Sequence, residues 1–306
     1  MQAPRHRTLI LSTLFALLLA GCALPNLKPF ADATATLHAA VVENNANVLR
    51  TYIDIGQPQQ ADQSAAQLAI RVAAMRAVVE YSDSLALIAA AGNSGGDSAA
   101  KVAGALDGFL GALSAPALPS NYVALAKSLY GAVASVRAAR DFADAVERAD
   151  PAIQGMATIL AADLQDTERI LMSALVPMER RLTQEISDNK QVVDYRKQLE
   201  KRRREIEKDM ATPFDRSKFD ELRQVNALID MTRDRYDPLM AKVEDIRHKN
   251  VAQIMLNMKA RDGVKQWAAI HAGLAISVRQ GLPPNIRLLT TTATEIRDIL
   301  AKENKS

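Results

Sequence analysis

The residues of this 306-residue chain that could do chemistry are few: one cysteine, Cys22, four histidines, a Ser-x-x-Lys string at Ser98 to Lys101, and a dense basic run from Lys197 to Lys208. One thiol excludes a disulfide framework and a multi-cysteine metal site, both of which need several. Beyond His6 the histidines are His38, His248 and His271, far apart and without a zinc-binding spacing such as HExxH. Gly92, Gly95 and Gly96 form no phosphate loop, because no Gly-Lys-Ser or Gly-Lys-Thr follows them. Ser98 and Lys101 have the spacing of a serine nucleophile and its lysine, but no Lys-Thr-Gly partner and no sheet pattern accompany them. The chain is therefore expected not to be an enzyme.

The surroundings of Cys22 give that residue another chemistry. Arg5 and Arg7 stand without an acid in the first eight residues, and Leu9 to Ala20 (LILSTLFALLLA) is an apolar run too short for a bilayer of roughly 30 Å. Leu19-Ala20-Gly21-Cys22 follows directly, and with the basic start and apolar core it resembles the lipobox of bacterial lipoproteins. The resemblance covers residues 1–22 alone. It implies that Leu19, Ala20 and Gly21 are read by the lipoprotein signal peptidase, that cleavage precedes Cys22, and that Cys22 carries diacylglyceryl and N-acyl lipid. Ala23 in place of aspartate at the next position implies transport to the outer membrane, facing the periplasm. Loss of residues 1–21 removes both arginines, so the mature charge falls from +3 to about +1.

Charge and composition narrow the partners. Lys plus Arg at 38 against Asp plus Glu at 35, with only 4% aromatic residues, fits no dedicated nucleic-acid binder, which needs a basic face or stacking platforms. No cofactor is expected beyond the covalent lipid on Cys22. The anticipated partners are the membrane, through that lipid, and an envelope protein or the cell wall.

The elements that must position these residues read as helices throughout. Leu37, Val41, Val48, Tyr52 and Ile55 recur at helical spacing and stop at Gly56 and Pro58. Leu68, Val72, Met75, Val79 and Leu85 form a second stripe, ended by GNSGGDS. Shorter helices are expected from Ala99 to Leu113 and, after APALPS, from Ser120 to about Ala149. No stretch shows strand alternation, so the fold class is all-α. The expected organisation is a signal peptide over 1–21, a lipidated tether over 22–30 and an alanine-rich helical bundle over 31–150. A long coiled-coil-like antiparallel hairpin follows over 151–281, ended by Gln280-Gly281 and Pro283-Pro284, and a C-terminal helix over 282–306 packs on the bundle.

The hairpin rests on two aliphatic seams. Leu171, Leu175, Met178, Leu182, Ile186, Val193, Leu199, Ile206 and Met210 make one, and Phe219, Leu222, Val225, Ile229, Tyr236, Val243, Ile246, Ile254 and Met258 make the other. The turn is expected near 212–217, in TPFDRS. Pro177 and Pro238 each remove a backbone donor and are expected to kink one or both arms. His271 lies on the stripe Val264, Trp267, His271, Leu274, Val278, where His38, Asn44 and Asn45 are its anticipated partners. Methionines 156, 172, 178, 210, 231, 240, 255 and 258 suit gap-filling between helices.

Two surfaces could meet other molecules. Lys201, Arg202, Arg203, Arg204 and Lys208 lie near the hairpin tip. There they are either a solvated face held by pairs such as Glu200 with Arg204, Lys201 with Glu205 and Arg203 with Glu207, or a contact site for an acidic partner. Residues 84–139, apolar and small, give the alternative of a membrane-inserting, pore-forming or membrane-remodelling head, although no uninterrupted apolar stretch of 18 residues occurs there. The function expected from the sequence is a lipid-anchored envelope lipoprotein acting as a structural or protein-interaction element through its hairpin.

Overall fold

The computed structural model describes residues 24–94, 124–125, 127–129, 131–132, 139–210 and 216–303. Among them the fold is all-α, built from α1 (Lys28–Asp54), α2 (Pro58–Ser94), α3 (Ala139–Asp188), α4 (Lys190–Asp209), α5 (Arg216–Gln280) and α6 (Arg287–Glu303). Cys22, Ser98, Lys101, most of 84–139 and most of the 212–217 turn fall outside the described residues.

Antiparallel pairing of α3 and α4 with α5 organises the molecule. Asp144 bonds Arg279, Asp150 bonds His271, Glu168 bonds Arg261, Glu185 bonds Lys242 and Glu221 bonds Arg202, so the partners converge on the connection between α4 and α5. At 1.5 Å per residue the 65-residue α5 is about 98 Å long. The alternating aliphatic seam is why the two arms stay together. Leu171, Leu175, Leu182, Val193, Leu199, Ile206, Val225, Ile229 and Val243 are buried, whereas Phe219 and Met258, at the edges of the stripe, are exposed.

At one end the hairpin widens into a bundle. α1 lies antiparallel to α5, with Phe30 stacked on Trp267 at 6.5 Å and Asn44 bonded to Asn257 at 3.0 Å. α2 and α6 pack on α1, and α6 also packs on α5. Phe30, Leu37, Met75, Tyr81, Phe142, Ile153, Trp267, Leu289 and Ile296 share one core. At Gly263 a Cβ would overlap Leu37 Cδ2, so the missing side chain lets α1 and α5 approach this closely without displacing that leucine.

The turn after α1 is closed by a Schellman pair. Gly56 adopts φ +75°, its N–H donates to Ile53 and that of Gln57 to Tyr52. Arg181, reaching across from α3, donates to the carbonyls of Asp54 and Ile55 at 2.9 and 3.0 Å, placing a cation at the negative end of the α1 dipole.

Two expectations are corrected. The boundary at Asp150-Pro151 is interior to α3, which runs from Ala139 to Asp188 through Pro151 and Pro177. Pro151 is exposed while its neighbours Ala149, Ala152 and Ile153 are buried, so packing of the opposite face carries the helix past the missing donor. The helix of the first arm is interrupted at Asn189, whose side-chain amide donates to the Glu185 carbonyl at 2.9 Å and competes with the backbone ladder. The tether is also shorter than 22–30. Leu24, Leu27 and Phe30 are buried in the core and α1 begins at Lys28.

Candidate functional site

The hairpin tip carries the exposed chemistry. α4 contacts α5 and the end of α3 and no other described element, so beyond the bundle the molecule is a two-helix arm. Its own small core is Leu199, Ile206, Val225 and Ile229, flanked by Met210 and Leu222. Arg196 latches the arm. It donates to the Ile229 carbonyl and to Thr232 at 3.0 Å, pairs with Glu200 at 2.8 Å and stacks its guanidinium 5.2 Å from the Tyr236 ring centroid.

Most of the predicted tip cations are engaged. Arg202 crosses to Glu221 on α5, which raises its already high basicity through that hydrogen bond and charge. Lys201 lies 4.0 Å from Glu205 and Arg203 lies 3.5 Å from Glu207, as the helical spacing predicts. Glu200, however, meets Arg196 one turn back rather than Arg204. Arg204 and Lys208 are therefore exposed with no acidic partner among the described residues. Exposed pairs of this kind are screened by water and salt and do not hold the cations away from a stronger partner.

The most chemically suggestive constellation lies at the other end and is sealed. His271 is flanked by Asp150, whose carboxylate accepts from Nδ1 at 2.9 Å, and by Tyr81, whose hydroxyl stands 2.7 Å from Nε2. The carboxylate fixes the proton on Nδ1, so Nε2 accepts from Tyr81. Burial lowers the His271 pKa and outweighs the opposing effect of Asp150, and burial raises that of Tyr81 well above its ordinary value. Both rings are then neutral. With Tyr81 and His271 at 0% and 1% exposure, no substrate reaches the pair, and the chain of bonds fixes the register of α2, α3 and α5.

Beside it, the Trp267 indole N–H donates to Ser82 at 3.0 Å. The anticipated partners of His271 meet other groups. Asn44 bonds Asn257, which in turn donates to the Leu164 carbonyl, and Asn45 donates to the Leu68 carbonyl. His38 is half-buried and its pKa is lowered, first by burial and then by Arg76.

A cleft of about 540 Å³ opens where α1 ends against the arms, lined among others by Arg50, Arg181, Glu185, Lys242, Asp245 and Lys249. Its charges are spent internally. Lys242 meets Glu185 at 2.8 Å, Lys249 meets Asp245 at 2.9 Å and Arg50 meets Glu43, so no net charge is left to select a ligand. Among the described residues no group of three or more His, Cys, Asp or Glu could hold a metal ion, and no helix is long and apolar enough to cross a membrane. Comparison of the chain with family models, curated proteins and solved structures finds no match.

Tyr81 was not legible as part of a site, since a tyrosine inside an alanine-rich helix reads as core. Arg196 was hidden for another reason. Among so many bases, nothing in the sequence separates the one that crosses the hairpin.

Proposed function

We propose that this protein is a lipid-anchored lipoprotein of the cell envelope, held at the membrane by acylated Cys22, that acts by contact through its projecting hairpin. The observation that carries the reading is the two-helix arm. α4 packs on α5 apart from the bundle, and the arm ends in cations of which Arg204 and Lys208 have no acidic partner among the described residues. The part of α5 before Lys242 lies beyond the end of α1 and is about 40 Å long, at 1.5 Å per residue. A rod with a basic end suits an acidic envelope protein or the anionic cell wall. The lipobox supports a lipid anchor, and Ala23 after it supports the outer membrane, facing the periplasm. The seclusion of Tyr81 and His271 supports a binding role over a catalytic one.

Two experiments test the reading. Cys22→Ala should abolish acylation and release the protein from membranes; a variant that stays membrane-bound and normally processed refutes the anchor. Photo-crosslinkers at Arg204 and Lys208 in the lipidated protein should capture an envelope partner or cell wall, whereas the same crosslinker at Arg297 on α6 should not. Equal capture at all three positions, or none at any, refutes the tip as the contact site.

A further inference from the structure

We infer that the end of the bundle around the α5–α6 connection is a bilayer-contacting surface that seats the protein against the membrane with the hairpin pointing away. The inference rests on the anchoring of Cys22 and adds to it a second, protein-built contact.

The first observation is where the chain enters the fold. Leu24 and Leu27 are 4% and 1% exposed, so the chain is already packed in the core two residues after Cys22. Whatever its course, a two-residue link spans at most about 7 Å, so acyl chains on Cys22 draw the adjacent protein surface to the headgroups. The antiparallel contacts of α1 with α5 run from Asn44–Asn257 through Leu37–Gly263 to Phe30–Trp267. Continuing that register places Leu24 towards the C-terminal end of α5.

The second observation is what that end exposes. Ile276 is 57% exposed, Leu282 53% and Leu288 68%, with Pro283 exposed beside them. From Val278 to Leu289 there is no acid, while Arg279 and Arg287 are present. Arg279 is held by Asp144 and Glu147, but Arg287 is exposed with no acidic partner among the described residues. Exposed apolar side chains on and flanking one helix connection, with Arg287 next to Leu288 in the chain, match the boundary between acyl chains and anionic headgroups. The connection is fixed by its own geometry. Gly281 adopts φ +65°, its N–H donates to Val278 and that of Leu282 to Ser277, so Leu282 is presented rather than loose.

The test uses the full acylated protein in vesicles of phosphatidylethanolamine and phosphatidylglycerol with brominated acyl chains. Leu282→Trp and Leu288→Trp are each compared with Met231→Trp on the hairpin, over the constant background of buried Trp267. Either base tryptophan should be strongly quenched and blue-shifted, and Met231→Trp should not. Flotation with the vesicles reads the anchor separately. Protein that floats but is quenched equally at base and hairpin overturns the docking and leaves the anchor standing. Protein that does not float overturns both.

Discussion

Tyr81 on α2 and His271 on α5 are joined by a 2.7 Å hydrogen bond between the phenol and Nε2, in a site where neither side chain reaches solvent. With Asp150 accepting from the other ring nitrogen, the pair ties three helices at one level of the bundle. Tyr81→Phe keeps the packing but leaves Nε2 buried without a donor, which costs about 1–3 kcal/mol. Denaturant unfolding should register that loss, and Trp267, whose indole centroid is 6.5 Å from both rings, reports it by fluorescence. An unchanged midpoint would show that the bond has no part in stability.

Acid should weaken the same region. The folded pKa of His271 is lowered by burial, so below about pH 6.5 the unfolded chain takes up a proton that the folded chain resists. Stability is therefore complete above that pH and falls as pH drops towards the folded value. His38, lowered by burial and by Arg76, acts in the same direction. His271→Asn should flatten part of the fall in stability below about pH 6.5, with His38 contributing to what remains; a profile as steep as the parent's would place the acid sensitivity elsewhere.

Gly263 and Leu37 should behave as a coupled pair. Gly263→Ala gains about 1 kcal/mol of helix propensity but forces its Cβ against a fully buried leucine, at an overpacking cost of about 1–3 kcal/mol. The net change is expected to be destabilising. In a Leu37→Ala background the clash disappears, and the same substitution should become stabilising. If its effect is identical in both backgrounds, the close approach of α1 and α5 is not what selects glycine.

Arg196 should resist even a conservative change. Lys keeps the charge but loses the planar fork that reaches the Ile229 carbonyl, Thr232 and Glu200 together, and it stacks less well on Tyr236. Arg196→Lys is expected to cost about 1–2 kcal/mol and to speed amide exchange in α4 and the first half of α5, leaving the bundle protected. Uniform protection in both halves would refute the latch.

The fold was readable where one face of a helix does one thing. The stripe Leu37, Val41, Val48, Tyr52 and Ile55 is buried in full, and glycines 56 and 281 end their helices with left-handed turns. The apolar seams likewise placed the two arms against each other. Composition misled at Asp150-Pro151, where alanine-rich chain gives way to highly charged chain at a proline, but buried neighbours on the opposite face carry the helix onward. It also misled at Leu24 and Leu27, whose neighbouring prolines suggested a tether although their own side chains fill the core.

What the sequence determined by itself is the all-α class, the aliphatic seams and the two glycine stops, because each depends on residues within a turn or two of one another. The tertiary structure alone decided that His271 meets Tyr81 and Asp150, that Arg196 crosses the hairpin while Arg204 and Lys208 lie open, and that Leu24 is already packed in the core. A hydrophobic stripe tells which side of a helix turns inward, but the identity of the group opposite depends on the rotation and axial offset of a second helix. Those are set by how many buried side chains interlock at once, as Leu37 does over Gly263, and no local spacing encodes them.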